Sequence, residues 1–259
     1  MVNGCQDGSR RSSVAQTGSA TPETRRGQRR QATLREITST ARQLLLRDGI
    51  VGVTVRAIAR EMGMTPPALY RYFDSHEDVV SALTADLYDE LVAVMEQARD
   101  AQPADDVAAR LFAVTLAFRQ WALDHRPEFG LVFANPITSM TAQLPDACEL
   151  AGQRFGLVFG ALFNELWQSR PFDVPDLADL DPHLVEQIEA FDDEVRGGLP
   201  VGATYLFLRC WVSLYGTVTM EVFNHLHWAL EDSEPMFETV MADNARILGL
   251  ADDHRRLYG

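Results

Sequence analysis

Histidines and carboxylates are the first residues to test for chemistry, and here they come up short. His225 and His227 stand two apart and project about 200° from one another on a helix, so they do not share a metal. Glu221 and His225, at i and i+4, do share a face, but a third ligand is not evident, and a satisfied polar pair is the simpler reading. The chain has no Glu-x-x-His pair of the di-iron bundles, no Gly-x-Ser-x-Gly elbow, no phosphate loop and no dinucleotide fingerprint. An enzyme reading therefore has nothing to rest on, and no cofactor is expected. Arginine is the residue whose placement carries chemistry. Residues 1 to 73 hold twelve Arg against five acids, while residues 74 to 259 hold eleven against 32, within a total charge of -14. That asymmetry suggests that one end meets a polyanion and the rest does not, although a solvated basic tail would give the same count. No lysine occurs anywhere, and arginine is the better fork for guanine edges and phosphates.

The elements that must position these arginines are helices. Leu34, Ile37, Ala41, Leu44 and Leu45 recur at helical spacing from about Arg26, and Asp48-Gly49 supplies a stop. Thr54 offers a cap to a short helix whose Val55, Ile58, Ala59 and Met62 fall on one face, and Gly63 ends it. Thr65 is a second cap, with Pro66 at the first helical position, opening a third helix to about Tyr72. Two short helices joined by a tight Gly-containing turn are a helix-turn-helix, whose second helix enters the major groove of double-stranded DNA. Helix N-termini at Thr54 and Thr65 present free N-H groups to phosphate, though capping alone explains both residues.

Ser75 with Asp78 resembles a capping box and opens a fourth helix, with Val79, Leu83, Leu87, Leu91 and Val94 as its apolar face to about Arg99. Further amphipathic stretches fall near 106 to 124, 146 to 169 and 183 to 195, and no period-2 strand pattern competes with them. From Ala203 to Leu230 only Arg209 and Glu221 are charged in 28 residues. So apolar a helix needs more cover than its own bundle, which points to a partner chain. A last helix is expected near 236 to 249, after Pro235. The fold class is thus all-α: a three-helix head at 26-73 and a larger bundle at 74-259. Residues 1-25 form a Gly, Ser and Thr arm with too few apolar side chains to offset ordering. Cys5, Cys148 and Cys210 fit neither a disulfide framework nor a zinc clip, and no signal peptide or apolar run of spanning length appears. A cytoplasmic protein without a membrane partner is expected.

The run Thr54-Val55-Arg56-Ala57-Ile58-Ala59-Arg60-Glu61-Met62-Gly63-Met64-Thr65-Pro66-Pro67-Ala68-Leu69-Tyr70-Arg71-Tyr72-Phe73-Asp74-Ser75-His76-Glu77 resembles the DNA-binding domain of the TetR family of bacterial transcriptional regulators. The likeness covers roughly residues 26 to 80, and its Leu-Tyr-x-x-Phe-x-Ser-x-Glu ending is far more specific than a generic helix-turn-helix. Beyond it, Trp211-x-x-Leu214-Tyr215-Gly216 is similar to a segment of some of these regulators. The resemblance implies a homodimer formed through the last two long helices and a small-molecule effector pocket in the C-terminal bundle. It also implies that Arg56 reaches the groove, where arginine is the commonest bidentate reader of guanine; a solvated Arg56 is the alternative. Tyr70 and Tyr72 match positions that bond phosphates, although either ring can equally serve the core beside Leu69 and Phe73. Pro66, Pro67 and Ala68 have no hydrogen-bonding side chain, so readout there is apolar contact with thymine methyls, leaving specificity to Arg56, Arg71 and DNA shape. His76 replaces the family's usual Lys, which makes that phosphate contact doubtful or pH-dependent. Arg25, Arg26, Arg29 and Arg30 are placed to reach a minor groove or flanking phosphates.

Aromatics crowd the bundle, most of them as core filler. Given the pocket that the resemblance implies, Trp121, Phe155, Phe159, Trp211 and Tyr215 are the expected lining, and an apolar or aromatic ligand follows. The function expected is a ligand-responsive regulator, a repressor bound as a homodimer to an inverted-repeat operator. A helical small-molecule-binding or protein-interaction module without operator recognition is the rival reading.

Overall fold

The computed structural model describes residues 25-134, 147-190 and 198-258, and among them only helices and turns occur. The arm expected at 1-25 and the end of the helix expected at 183-195 fall largely outside the described residues. Helix α1 (Arg25–Asp48) buries Ile37, Ala41, Leu44 and Leu45 and stops where Gly49 turns left-handed at φ 70°. Helix α2 (Val55–Glu61) starts at Thr54, whose hydroxyl accepts the Ala57 N-H at 3.1 Å. Its end is a Schellman turn. Gly63, at φ 64°, donates to the Arg60 carbonyl and Met64 to that of Ala59, a conformation a side chain resists. Helix α3 is only Pro66–Leu69, with turns carrying the chain through Tyr72, so the helix expected to Tyr72 is one turn long. The Thr65 side chain makes no capping bond; the prolines at N1 and N2 have no N-H to offer, and that of Ala68 at N3 goes to the Thr65 carbonyl at 2.9 Å.

The capping box at Ser75 forms with Asp in place of Glu: Asp78 N donates to Ser75 Oγ at 3.0 Å, and Ser75 N to Asp78 Oδ2 at 2.9 Å. It opens α4 (His76–Asp100), the axial helix of the molecule. On its C-terminal half the core position is Met95, fully buried, while Val94 is 38% exposed. The buried positions Val79, Leu83, Leu87, Leu91 and Met95 step by four residues, so the stripe winds about 40° per step around the helix instead of keeping to one face.

Helices α5 (Val107–Asp124) and α7 (Ala147–Ser169) pack most extensively on α4, and α1 packs on it as well. Between them sits α6 (Arg126–Phe133), a short helix the sequence pattern does not separate, set off by a non-helical His125 and opened by Pro127. Helix α8 (Pro182–Ala190), α9 (Val201–Val222), α10 (Glu234–Ile247) and α11 (Ala251–Tyr258) complete the bundle. One continuous core runs from Ile37 to Leu250.

The apolar helix expected over 203-230 in fact ends at Val222. Asn224 adopts φ 57°, donating to the Glu221 carbonyl, and His225 donates to that of Met220 at 2.8 Å. This is again a Schellman stop, with Asn as the residue that tolerates left-handed backbone. Residues 223-229 are turns, and α11 is a helix beyond the expected last one. No helix is long and apolar enough to cross a membrane among the described residues.

Candidate nucleic-acid interface and effector cavity

In the head, Ile58, Ala59 and Leu69 are completely buried and fix α2 and α3 against α1. Met62 and Met64 between those anchors pack on the core, while the polar face around them turns outward. Thr54, Arg56, Thr65, Pro67, Tyr70 and Arg71 are exposed, and Pro66 and Ala68 are half-buried. Tyr70 is 48% exposed, free to present its hydroxyl, whereas Tyr72 is half-buried, packs on the core and lies under the Arg30 guanidinium, 5.8 Å from the ring centre. His76 is differently employed from the expected phosphate contact. Its Nε2 lies 2.6 Å from the Val53 carbonyl, so that nitrogen carries the proton and donates, tying the start of α4 to the loop before α2.

The arginines of this end stand apart from the rest. Arg26, Arg29 and Arg30 line a groove with Arg71 and Tyr72, and none of those arginines has an ion pair among the described residues. Arg56 has none either. The first turn of α1 contains no acid, so these cations also sit at the positive end of a helix dipole. Such an arrangement is unfavourable within the chain itself and favours a bound polyanion.

The bundle uses its arginines internally. Arg119 grips Glu221 through Nε (2.8 Å) and Nη2 (2.6 Å) and reaches Glu234 at 3.2 Å; the Arg119 and Glu221 side chains are only 11% and 6% exposed. Glu221 therefore pairs with Arg119 and with the Ser233 hydroxyl, not with His225 as expected from spacing. No group of three His, Cys, Asp or Glu that could hold a metal occurs among the described residues.

A cavity opens between α5, α7, α9 and α10, walled by Phe112, Phe159, Phe163, Phe207 and Trp211, with Thr115, Cys210 and Asn244 as the polarisable or polar edges. Of the five expected lining residues, Phe159 and Trp211 reach it. Phe155 backs both of them, with ring centres 6.0 and 5.5 Å away. Tyr215 stacks on Trp211 at 5.7 Å, and its hydroxyl donates to the Phe133 carbonyl at 2.8 Å, one layer behind the wall. Trp121 is elsewhere, stacked on His125 at 4.9 Å with its indole N-H donating to Glu90. Phe163 and Phe207 belong to the same aromatic crowd in the sequence, but nothing in their spacing distinguishes lining from filler. Burial pushes the Cys210 thiol up to about 12, so it is neutral at physiological pH.

Head and bundle meet at Arg42 on α1. Its guanidinium donates to Glu90 of α4 at 2.6 and 3.2 Å and to Glu128 of α6 at 3.0 Å. Glu128 is 2% exposed, and its Oε2 has no hydrogen-bond partner among the described residues. Burial raises the Glu90 carboxyl, but the bonds from Arg42 and Trp121 outweigh it and hold the group below its ordinary range.

Comparison with known proteins agrees with this layout. Residues 37-83 match the family described as bacterial regulatory proteins, tetR family, and residues 111-244 match the tetracyclin repressor-like C-terminal domain. The HTH-type transcriptional regulator Rv1816 of Mycobacterium tuberculosis is 28% identical over 193 residues, covering 73% of this chain and 80% of that one. Among solved structures, the putative regulatory protein SCO4313 superposes with a TM-score of 0.66 at 24% identity, over 85% of this chain and 98% of its own. RolR in complex with resorcinol superposes with a TM-score of 0.55 at 16% identity, over 88% and 94%. Since the C-terminal match alone spans just over half of the chain and the head match falls on α1 to α4, the chain belongs to the TetR family of bacterial transcriptional regulators.

Proposed function

We propose that the protein is a repressor that binds an inverted-repeat operator as a homodimer and lets go when a small apolar or aromatic effector enters the bundle. The observation that carries this reading is the set of arginines without ion pairs on the helix-turn-helix face, coupled to an aromatic-walled cavity in the bundle. In this reading residues 1-25 are an arm, 26-73 the DNA-binding domain and 74-259 the effector and dimerisation domain. Arg56 reads a guanine, while Pro66, Pro67 and Ala68 touch thymine methyls. Tyr70, Arg71, the N-terminus at Thr54 and the Thr65 hydroxyl hold phosphates, and Arg26, Arg29 and Arg30 extend the grip. Tyr72 and His76 serve that surface by shaping it.

Dimerisation through α9 and α10 is supported by apolar side chains left in solvent on a single chain. Val212 is 69% exposed, Met220 and Met236 are 45% and 44% exposed, and nothing lies within 4 Å of a side chain built at Gly216. Arg42 is the proposed transmission point: an effector that shifts α5 or α6 disturbs the Glu90 and Glu128 contacts and so the angle of α1, changing the spacing of the two heads. An aromatic effector is supported by the cavity walls and by resorcinol in the distantly similar RolR.

The test is selection of bound duplexes from a random pool, followed by gel shifts across a salt series. An enriched inverted repeat with half-sites a helical turn or a multiple apart, bound more weakly as salt rises, is the expected result. Binding without sequence preference would favour the helical ligand-binding module instead.

A further inference from the structure

A second cavity lies beside the aromatic one, under the C-terminal helix α11. The two spaces, about 60 Å³ for the inner and about 100 Å³ for the outer, share Phe112, Thr115 and Met241 as their common wall. Each is several times the roughly 10 to 15 Å³ that one water requires. Their linings differ in kind. The inner one is almost entirely aromatic and aliphatic, while the outer one has Arg119, Glu234, Glu238 and His254 around it.

The charges there do not cancel. Arg119 is held by Glu221 through two bonds, with Glu234 as a second carboxylate on the same guanidinium, and its Cζ sits 4.5 Å from the Phe237 ring centre. Glu238 has no ion pair or hydrogen bond among the described residues. One cation thus faces three carboxylates, counting the buried Glu221, and the outer space is left acidic. Its remaining walls include the rings of Phe112, Phe237 and Tyr258 beside Leu116 and Met241. Phe112 meets His254 and Tyr258 edge to face at 5.5 and 5.8 Å, so ring faces and a free carboxylate converge on one spot. Helix α11 is fastened over that spot by Arg256 to Asp106 at 2.7 Å and Arg170 to Asp253 at 2.6 Å. Carboxylates with aromatic faces are a setting for an organic cation, which gains both Coulomb and cation-π attraction.

We infer that the effector is an amphipathic cation: an apolar ring seated in the inner cavity, joined past Phe112 and Met241 to a protonated amine held in the outer one by Glu238 and the Tyr258 ring. This rests on the effector-responsive reading above and narrows it. Glu238 is the residue that selects charge, Phe112 the partition between the two ends, and α11 the cover over the cationic end.

The test compares three probes with one skeleton, 4-phenylbutylamine, 4-phenylbutan-1-ol and 4-phenylbutyrate, on the full chain. Binding is read by titration calorimetry and by intrinsic tryptophan fluorescence, to which Trp211 on the cavity wall contributes, and operator release is read separately. The amine should bind at least tenfold more tightly than the alcohol, and the acid most weakly. Glu238→Gln, on an exposed side chain, should bring the amine to the affinity of the alcohol and leave the alcohol unchanged. Glu238→Lys should turn the preference toward the acid. Equal binding of all three probes, binding of none, or an amine preference that survives Glu238→Gln overturns the inference. Amine-selective binding without operator release would keep this site and remove the release mechanism. Release by amine and alcohol at the same concentration would keep the mechanism and remove this site.

Discussion

Arginine means opposite things at the two ends of this molecule. In the bundle, Arg110, Arg119, Arg154, Arg170 and Arg256 are each matched to a carboxylate of another element, so their charge is spent on holding helices together. In the head, Arg26, Arg29, Arg30, Arg56 and Arg71 face outward without such partners, three of them in the first two turns of a helix whose dipole disfavours them. The same side chain is therefore structural where its counter-ion is in the chain and available to an outside counter-ion where it is not. Composition cannot separate these cases; partner identity does.

The comparison breaks most visibly at Arg119. Arg119→Met strands Glu221 in the interior and should cost about 3 to 5 kcal/mol in chemical denaturation, while adding Glu221→Leu should restore most of that loss. A head arginine should show the reverse pattern. Arg56→Ala is expected to leave the denaturation midpoint unchanged and to weaken operator binding by about 1 to 3 kcal/mol, with preference relaxed at one base pair per half-site. A uniform loss over all sequences would move Arg56 to the phosphate class. Arg29→Ala sharpens the contrast further: affinity should fall equally for every sequence, and the slope of log K against log salt should shrink by about 0.9 for each protomer's lost phosphate contact. The smallest effect belongs to Tyr70→Phe, a uniform loss of about 1 kcal/mol with the selected sequence unchanged.

The head was legible because its signals are local. Thr54, Gly63, Pro66 and the Ser75-Asp78 box each act within four residues, so sequence order and spatial order nearly coincide. The bundle was legible as helices but less so as a cavity. Which aromatic faces the space depends on contacts between α5, α7, α9 and α10, and those are far apart in the chain. Trp121 illustrates the reason: its indole N-H is claimed by Glu90, a pairing 31 residues away that draws it toward the Arg42 junction instead of the cavity. The overlong helix from 203 has a different cause. Hydropathy continues past Val222, but a single left-handed Asn224 ends the hydrogen-bond ladder, and apolarity does not report backbone sign.

The recognition helix is a single turn whose first two residues are prolines, followed by Ala68 and the fully buried Leu69. Its backbone is set by ring closure before any DNA arrives, and the one residue that anchors it points away from the groove. If Arg56 and Ala68 read bases as proposed, that preference is uncoupled from folding. On the proposed function, the side chains of this surface can set which operator is read while the scaffold beneath them keeps its fold.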